Sequence, residues 1–223
     1  MCEGASKAWS RGWIAVAALL LIWTTAGTAG AAAPVPLGGG SGIVFDDGST
    51  CTLTTIGYDG AGQLVGFTAG HCAVAGAGVA AEADQGAGTL GTVAFVNSEL
   101  DYAVIGFDAG LVHPVNRVGA TSITGVGLPA QFPAIACKEG RTTGQTCGLV
   151  YGDVFGGATW TMTQICVLTG DSGGPVVVGS TLVAVVTGYL AVPCLGPHVG
   201  INFSRILDDV NARGGIGTGF GPI

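Results

Sequence analysis

From Gly42 onward the apolar residues fall into short runs broken by turn residues. Ile43-Val44-Phe45 precedes Asp46-Asp47-Gly48, and Cys51 to Tyr58 precedes Asp59-Gly60-Ala61-Gly62, which is how hairpins are written in sequence. Further runs of strand length and β-branched composition lie at Leu64 to Thr68, Leu90 to Val96, Tyr102 to Phe107, Gly148 to Val154, Thr159 to Val167, Val176 to Val178 and Thr181 to Thr187. One stretch has the helical period instead. Phe203, Ile206, Leu207 and Val210 recur at offsets of 3, 4 and 7, with Ser204 near the start and Gly214-Gly215 as the stop. The sequence has no repeat of fixed period and no long polar linker, and Gly125 to Pro133 is the best candidate boundary between two β units. The pattern therefore predicts a mostly antiparallel all-β fold with a terminal helix.

The first residues follow a different logic. Lys7 and Arg11 precede an uncharged run from Trp13 to Trp23, and small residues lead to Ala31-Ala32-Ala33 before Pro34, so residues 1–33 are expected to be a cleaved signal peptide. An uncleaved signal anchor is the competing reading, and it is the one case in which a membrane becomes a partner. The protein is accordingly expected to be secreted or attached to the cell envelope.

Composition sharpens both readings. Charged residues are only 9% of the chain, and Gly plus Pro account for 51 of 223 residues, which suits short strands joined by tight turns. Without residues 1–33 the chain holds five basic and thirteen acidic residues, a formal charge of −8, which argues against nucleic acid because phosphate binding needs a positive surface. Seven Cys are present, and Cys2 lies in the segment expected to be lost. The remaining six fit three disulfides in an oxidising compartment, with their pairing left open. No Cys-x-x-Cys pair suggests zinc, and neither a metal nor an organic cofactor is expected.

The chemistry concentrates in Thr169-Gly170-Asp171-Ser172-Gly173-Gly174-Pro175, where a Ser sits among glycines that free the backbone for tight turns and close substrate approach. Ser172 Oγ could attack a carbonyl while the N–H groups of Gly170 and Ser172 face the resulting oxyanion. A Ser nucleophile needs a base, and the three His are at 71, 113 and 198. His71 follows an apolar strand and precedes Cys72, so a disulfide could hold its backbone still; His113 and His198 each adjoin Pro and are expected to be solvated. Asp101, at the start of the run Tyr102-Ala103-Val104-Ile105, is the carboxylate that could orient the imidazole, with Glu99 and Asp108 as substitutes. The chain order His, Asp, Ser is that of chymotrypsin and differs from subtilisin and α/β-hydrolases.

Thr68-Ala69-Gly70-His71-Cys72, Leu100-Asp101-Tyr102-Ala103 and Gly170 to Pro175 resemble the three catalytic motifs of chymotrypsin-fold serine proteases. Cys137-Lys138-Glu139-Gly140-Arg141-Thr142-Thr143-Gly144, followed by Cys147-Gly148, is similar to the α-lytic protease and streptogrisin group of bacteria, and the resemblance spans roughly residues 40 to 212. It implies two antiparallel six-stranded β-barrels, over residues 34–128 and 129–223, the second carrying the helix. It also implies the pairings Cys51 with Cys72, Cys137 with Cys147, and Cys166 with Cys194.

Two departures from the group stand out. Members usually carry a long pro-segment, whereas about ten residues separate Ala33 from the first expected strand, so unaided folding is the expectation, with a separately supplied helper as the alternative. The position after Cys137, usually an Arg paired with the Asp before the nucleophile, is Lys138; a Lys could pair with Asp171 as a point charge, with Arg141 as the fallback partner. The resemblance places the specificity pocket at Val167, Val186 and Tyr189, with no Asp or Glu positioned to receive a Lys or Arg side chain. The expected function is a monomeric secreted endopeptidase acting on protein or peptide substrates through an acyl-enzyme, with a preference for small or medium apolar side chains before the scissile bond. The alternative is a catalytically weak or latent protease-fold binding protein at the cell surface.

Overall fold

The computed structural model describes residue 1 and residues 33–223, so residues 2–32 of the expected signal peptide, Cys2 among them, lie outside the described residues. The first sheet takes the strands Gly42–Phe45, Thr50–Thr52, Thr55–Tyr58, Leu64–Ala69, Gly78–Ala81, Gly91–Asn97 and Tyr102–Phe107. Thr50–Thr52 pairs with Gly42–Phe45, and Thr55–Tyr58, continuing the same segment, pairs with Leu64–Ala69. That one segment joins the two ends of the sheet, and with it counted once six strands surround the core. Gly221–Pro222, almost at the end of the chain, returns to pair with Thr55–Tyr58.

The second sheet runs Thr181–Tyr189, Pro175–Val178, Ile135–Gly140, Gly144–Gly152, Trp160–Thr163 and His198–Asn202, and it closes on itself because His198–Asn202 also pairs with Thr181–Tyr189. Gly125–Val126 adds a parallel pairing with Thr181-Leu182, so part of the expected boundary stretch is already a strand of the second sheet. Among the described residues the fold is all-β with one α-helix, Phe203–Arg213.

Several strands are buried on both faces, which explains why they read as continuous apolar runs. In Leu64–Ala69 and Tyr102–Phe107, Leu64, Ala103 and Ile105 pack into the first barrel, while Val65, Phe67, Tyr102 and Val104 join a cluster with Leu182, Val185, Ile201 and the helix residues Phe203, Ile206 and Val210. Ala184 and Val186 point the other way, into the core of the second barrel. Alternation along a strand thus divides each apolar run between a barrel interior and the layer that joins the barrels. Fully burying a Val, Leu or Ile side chain contributes about 1.5 to 3 kcal/mol, so this middle layer fixes one barrel against the other.

The helix starts at Phe203, one residue before the expected Ser204, and ends against Gly214, whose φ of 77° suits glycine. Asn202, just before it, does not cap the helix. Its side chain instead accepts from Thr161 Oγ1 and donates to the carbonyl of Ala158. The expected run Thr159 to Val167 shortens to Trp160–Thr163, because the chain then leaves the sheet to bring Cys166 to Cys194.

Candidate functional site

The turn that carries Ser172 comes from the second barrel and is gripped by the first. Gly170 and Gly173 have φ of 95° and 84°, the left-handed region that disfavours side chains. A Cβ on Gly173 would also lie 2.3 Å from the carbonyl oxygen of Thr52. Behind the turn, Gly173 N–H donates to the carbonyl of Val186 and Val186 N–H donates to that of Gly174. In front, Thr52 N–H donates to the carbonyl of Ser172 (2.9 Å), Thr52 Oγ1 to that of Gly170 (2.8 Å) and Thr54 Oγ1 to that of Gly173 (2.5 Å). Both threonines are fully buried. Among the described residues, the N–H groups of Gly170 and Ser172 donate to no protein acceptor, so both remain available to an oxyanion.

Asp171 anchors the same turn from below and is fully buried. It accepts the N–H groups of Thr142, Thr143 and Leu168 at 3.0 Å and the Thr143 hydroxyl at 2.6 Å. Lys138 Nζ lies 3.3 Å away, also fully buried, and donates to Thr143 Oγ1 and the Gly144 carbonyl. Burial alone would raise the Asp171 carboxyl, but the hydrogen bonds from Thr143 and Leu168 and the charge of Lys138 outweigh it and hold the group below the ordinary carboxylate range. Burial pulls the Lys138 ammonium down while Asp171 opposes that shift, and with three acceptors around Nζ the charged pair is the form this geometry holds. Arg141, the fallback partner, turns elsewhere. It grips Glu82 through Nε and Nη2, while its backbone N–H donates to Thr52 Oγ1.

His71 sits in the short turn Gly70–Cys72, tied to the first barrel by the Cys51–Cys72 disulfide. A Cβ on Gly70 would lie 2.8 Å from the Tyr102 nitrogen, so glycine is what lets this turn approach Asp101. Asp101 itself has φ of 46°, a left-handed conformation that Asp tolerates better than most residues. Its Oδ1 accepts the His71 backbone N–H at 2.8 Å, and Nδ1 of the ring is 3.0 Å from both carboxylate oxygens. Nδ1 is therefore the protonated nitrogen, which leaves Nε2 for a reacting group. The hydrogen bond to Asp101 raises the His71 pKa, burial works against it, and the carboxylate charge adds to the rise. The substitutes Glu99 and Asp108 are both exposed, and Asp108 is occupied with the N–H of Gly110.

His71 and Ser172 line one cavity of about 270 Å³ together with Gly170 and the Cys51–Cys72 bridge. Among the described residues no hydrogen bond joins Ser172 Oγ to His71. The residues expected to form the specificity pocket lie elsewhere. Val167 and Val186 are buried in one cluster, Tyr189 is exposed at the end of the strand Thr181–Tyr189, and none of the three lines this cavity. Cys137 is joined to Cys147 and Cys166 to Cys194.

His113 is exposed, but the expectation that His198 is solvated is wrong. His198 is fully buried in a strand opposite Tyr189 and Thr163, with Nδ1 2.8 Å from Thr163 Oγ1 and Nε2 without a partner among the described residues. Burial, with a smaller contribution from the Lys138 charge, pushes its pKa down to about 3, so the ring is neutral. The adjacent Pro197 suggested a loop. In fact it ends the loop, and the strand begins at His198.

Thr52, Thr54, Thr142 and Thr143 are the functional residues that sequence reasoning missed. Their hydroxyls hold the Ser172 turn and its Asp171, yet in sequence they read only as β-favouring or turn residues.

No protein-family model matches the chain. Serine protease 1 of Rarobacter faecitabidus is 37% identical over 145 residues, which cover 56% of this chain and 26% of that protein, so the match spans about a quarter of the relative. Among solved structures, the Nocardiopsis protease superposes with a TM-score of 0.66 at 22% identity, over 79% of this chain and 97% of that one. The alpha-lytic protease homolog N4 gives 0.64 at 26% identity, over 78% and 97%. The chain thus has the chymotrypsin-like fold of bacterial serine proteases, as the sequence motifs suggested.

Proposed function

We propose that this protein is a secreted serine endopeptidase that cleaves peptide bonds through an acyl-enzyme. The observation that carries the reading is the placement of His71, hydrogen-bonded to Asp101, and Ser172 around one cavity, with the free N–H groups of Gly170 and Ser172 beside them. In the reaction Ser172 Oγ attacks the scissile carbonyl carbon as His71 Nε2 takes the hydroxyl proton. The carbonyl oxygen becomes an oxyanion that accepts the two N–H groups, and Asp101 stabilises the imidazolium. His71 then passes its proton to the leaving nitrogen, the C–N bond breaks, and an ester to Ser172 remains. Water repeats the sequence: His71 takes its proton, hydroxide adds to the ester, and Ser172 recovers the proton as the acid leaves.

The side chain before the scissile bond lies against Val167 and Val186, with Tyr189 at the edge. His198 shares that strand face and is neutral, so it supplies no charge to a charged substrate side chain. Small or medium apolar side chains are therefore preferred. Secretion accords with the three disulfides, and no helix of the described residues is long and apolar enough to cross a membrane.

A second reading, a latent or weakly catalytic binding protein, draws on the absent Ser172–His71 hydrogen bond and on Tyr189. Catalytic hydrogen bonds often form only with substrate bound, which favours the first. Reaction with a fluorophosphonate probe separates the two: an activated Ser172 is labelled and Ser172→Ala is not, whereas folded protein that resists the probe supports the second.

A further inference from the structure

The cavity shared by His71 and Ser172 is lined by none of the pocket residues Val167, Val186 and Tyr189 and is walled largely by the first barrel. The imidazole must reach the leaving nitrogen to protonate it, so the half of the substrate that departs lies on His71's side of Ser172. This cavity is on that side. Its lining includes the Cys51–Cys72 bridge, Val74, which is 72% exposed, and Asp47, Ser49 and Thr50 from the hairpin between the first two strands.

Apart from the catalytic histidine, the lining residue that can carry charge is Asp47. Its Oδ1 accepts the N–H of Ser49 at 2.8 Å, an arrangement that orients the carboxylate within the turn. Ser49, through its hydroxyl and its N–H, also holds the Asp47 carboxyl below its ordinary range. Asp46 next to it is already engaged with the N–H of Gly78. Arg141 lies against Gly170, another lining residue, but two of its N–H groups are bound to Glu82, so that pair is locally balanced. The mouth of the cavity is therefore net negative, next to an apolar wall.

We infer that this cavity is a leaving-group subsite for a basic side chain, a Lys or Arg one or two residues after the scissile bond, with its aliphatic stem on Val74 and the disulfide and its charge at Asp47. The inference rests on the endopeptidase reading and assigns a substrate class to the other half of that site. Asp47 is exposed, so the preference is modest, about two- to fivefold, and it is screened by salt.

The test uses quenched fluorescent peptides with the same acyl half and Lys, Gln or Glu at each of the first two leaving-group positions. For the wild-type protein at low salt, kcat/KM for the Lys peptide should exceed that for the Gln peptide by about two- to fivefold at one of these positions, with Glu below Gln. The Lys-to-Gln ratio should fall to about one in Asp47→Asn and in 0.5 M salt. A ratio near one in wild-type protein that is labelled by fluorophosphonate, or a ratio that survives Asp47→Asn, overturns the inference and leaves the endopeptidase reading intact. Absence of labelling instead counts against that reading, and the subsite is then judged on binding: the same peptides titrated onto Ser172→Ala by fluorescence anisotropy should show the same Lys preference, and equal affinities overturn it.

Discussion

Replacing Lys138 with Met tests what holds the Ser172 turn. The two side chains are similar in volume, so Lys138→Met removes the ammonium from a fully buried site without opening a large cavity, and leaves Asp171 ionised at the same depth with no cation beside it. Breaking one partner out of a buried ion pair costs about 3 to 5 kcal/mol. Asp171 keeps three N–H donors and the Thr143 hydroxyl, so the lower end applies, about 3 kcal/mol. With a urea dependence of about 2 kcal/mol per M, the unfolding midpoint, followed by tryptophan fluorescence, should drop by roughly 1.5 M. Labelling of Ser172 by fluorophosphonate should slow in the same variant at urea-free equilibrium, because Asp171 directly precedes the nucleophile. A midpoint that moves by less than about 0.3 M, with labelling unchanged, would show that the four hydrogen bonds alone hold Asp171 and that the Lys138 charge is dispensable.

Other outcomes follow from the same geometry. The acid limb of kcat/KM should lie above the ordinary histidine value of about 6.5, because Asp101 raises the His71 pKa and only the neutral ring can accept the Ser172 proton. Asp101→Asn should move that limb down and lower turnover by about four orders of magnitude, as in trypsin-type triads; an unmoved limb would assign it to another group. His198, depressed to about 3 in the folded state, binds fewer protons than in the unfolded chain, so stability falls as pH drops below about 6.5. Two units lower, near pH 4.5, the loss is about 3 kcal/mol, and His198→Gln should flatten that part of a pH–denaturation profile; an identical slope in both proteins would contradict a buried neutral ring. In a mixed peptide library, cuts after Ala or Val should outnumber those after Lys, Arg or Asp, since burying an unpaired charge costs several kcal/mol against about 1 to 3 gained by an apolar fit. A majority of cuts after Lys or Arg would mean that Val167 and Val186 do not wall the pocket.

Much of this architecture is written in local patterns. Runs such as Leu64 to Thr68 and Tyr102 to Phe107 are legible because both their faces are buried, and the helix is legible because Phe203, Ile206 and Val210 keep one face against the core. Ile135–Gly140 is not, since it carries Lys138 and Glu139 into the interior, and burial of charge leaves no apolar alternation to read. Gly78–Ala81 and Gly221–Pro222 are too short and glycine-rich to announce themselves. At the site, the Gly-rich setting of Ser172 and the position of His71 beside Cys72 stand out as chemistry, and the structure sets Asp101 against His71. The threonine grip on the turn is invisible in sequence, because a buried Thr whose hydroxyl meets a carbonyl 119 residues away looks like any strand Thr. His198 misled for the same reason: its environment is made by strands that are distant in the chain.

The central claim is that Ser172 is an activated nucleophile, and covalent labelling of the exported, disulfide-intact protein by a fluorophosphonate, mapped by peptide mass, measures it most directly. The account predicts a single modified residue, Ser172, with labelling abolished in Ser172→Ala and reduced to near that level in His71→Ala. Folded protein that takes up no probe, or labelling that persists at another residue when Ser172 is replaced, would contradict it.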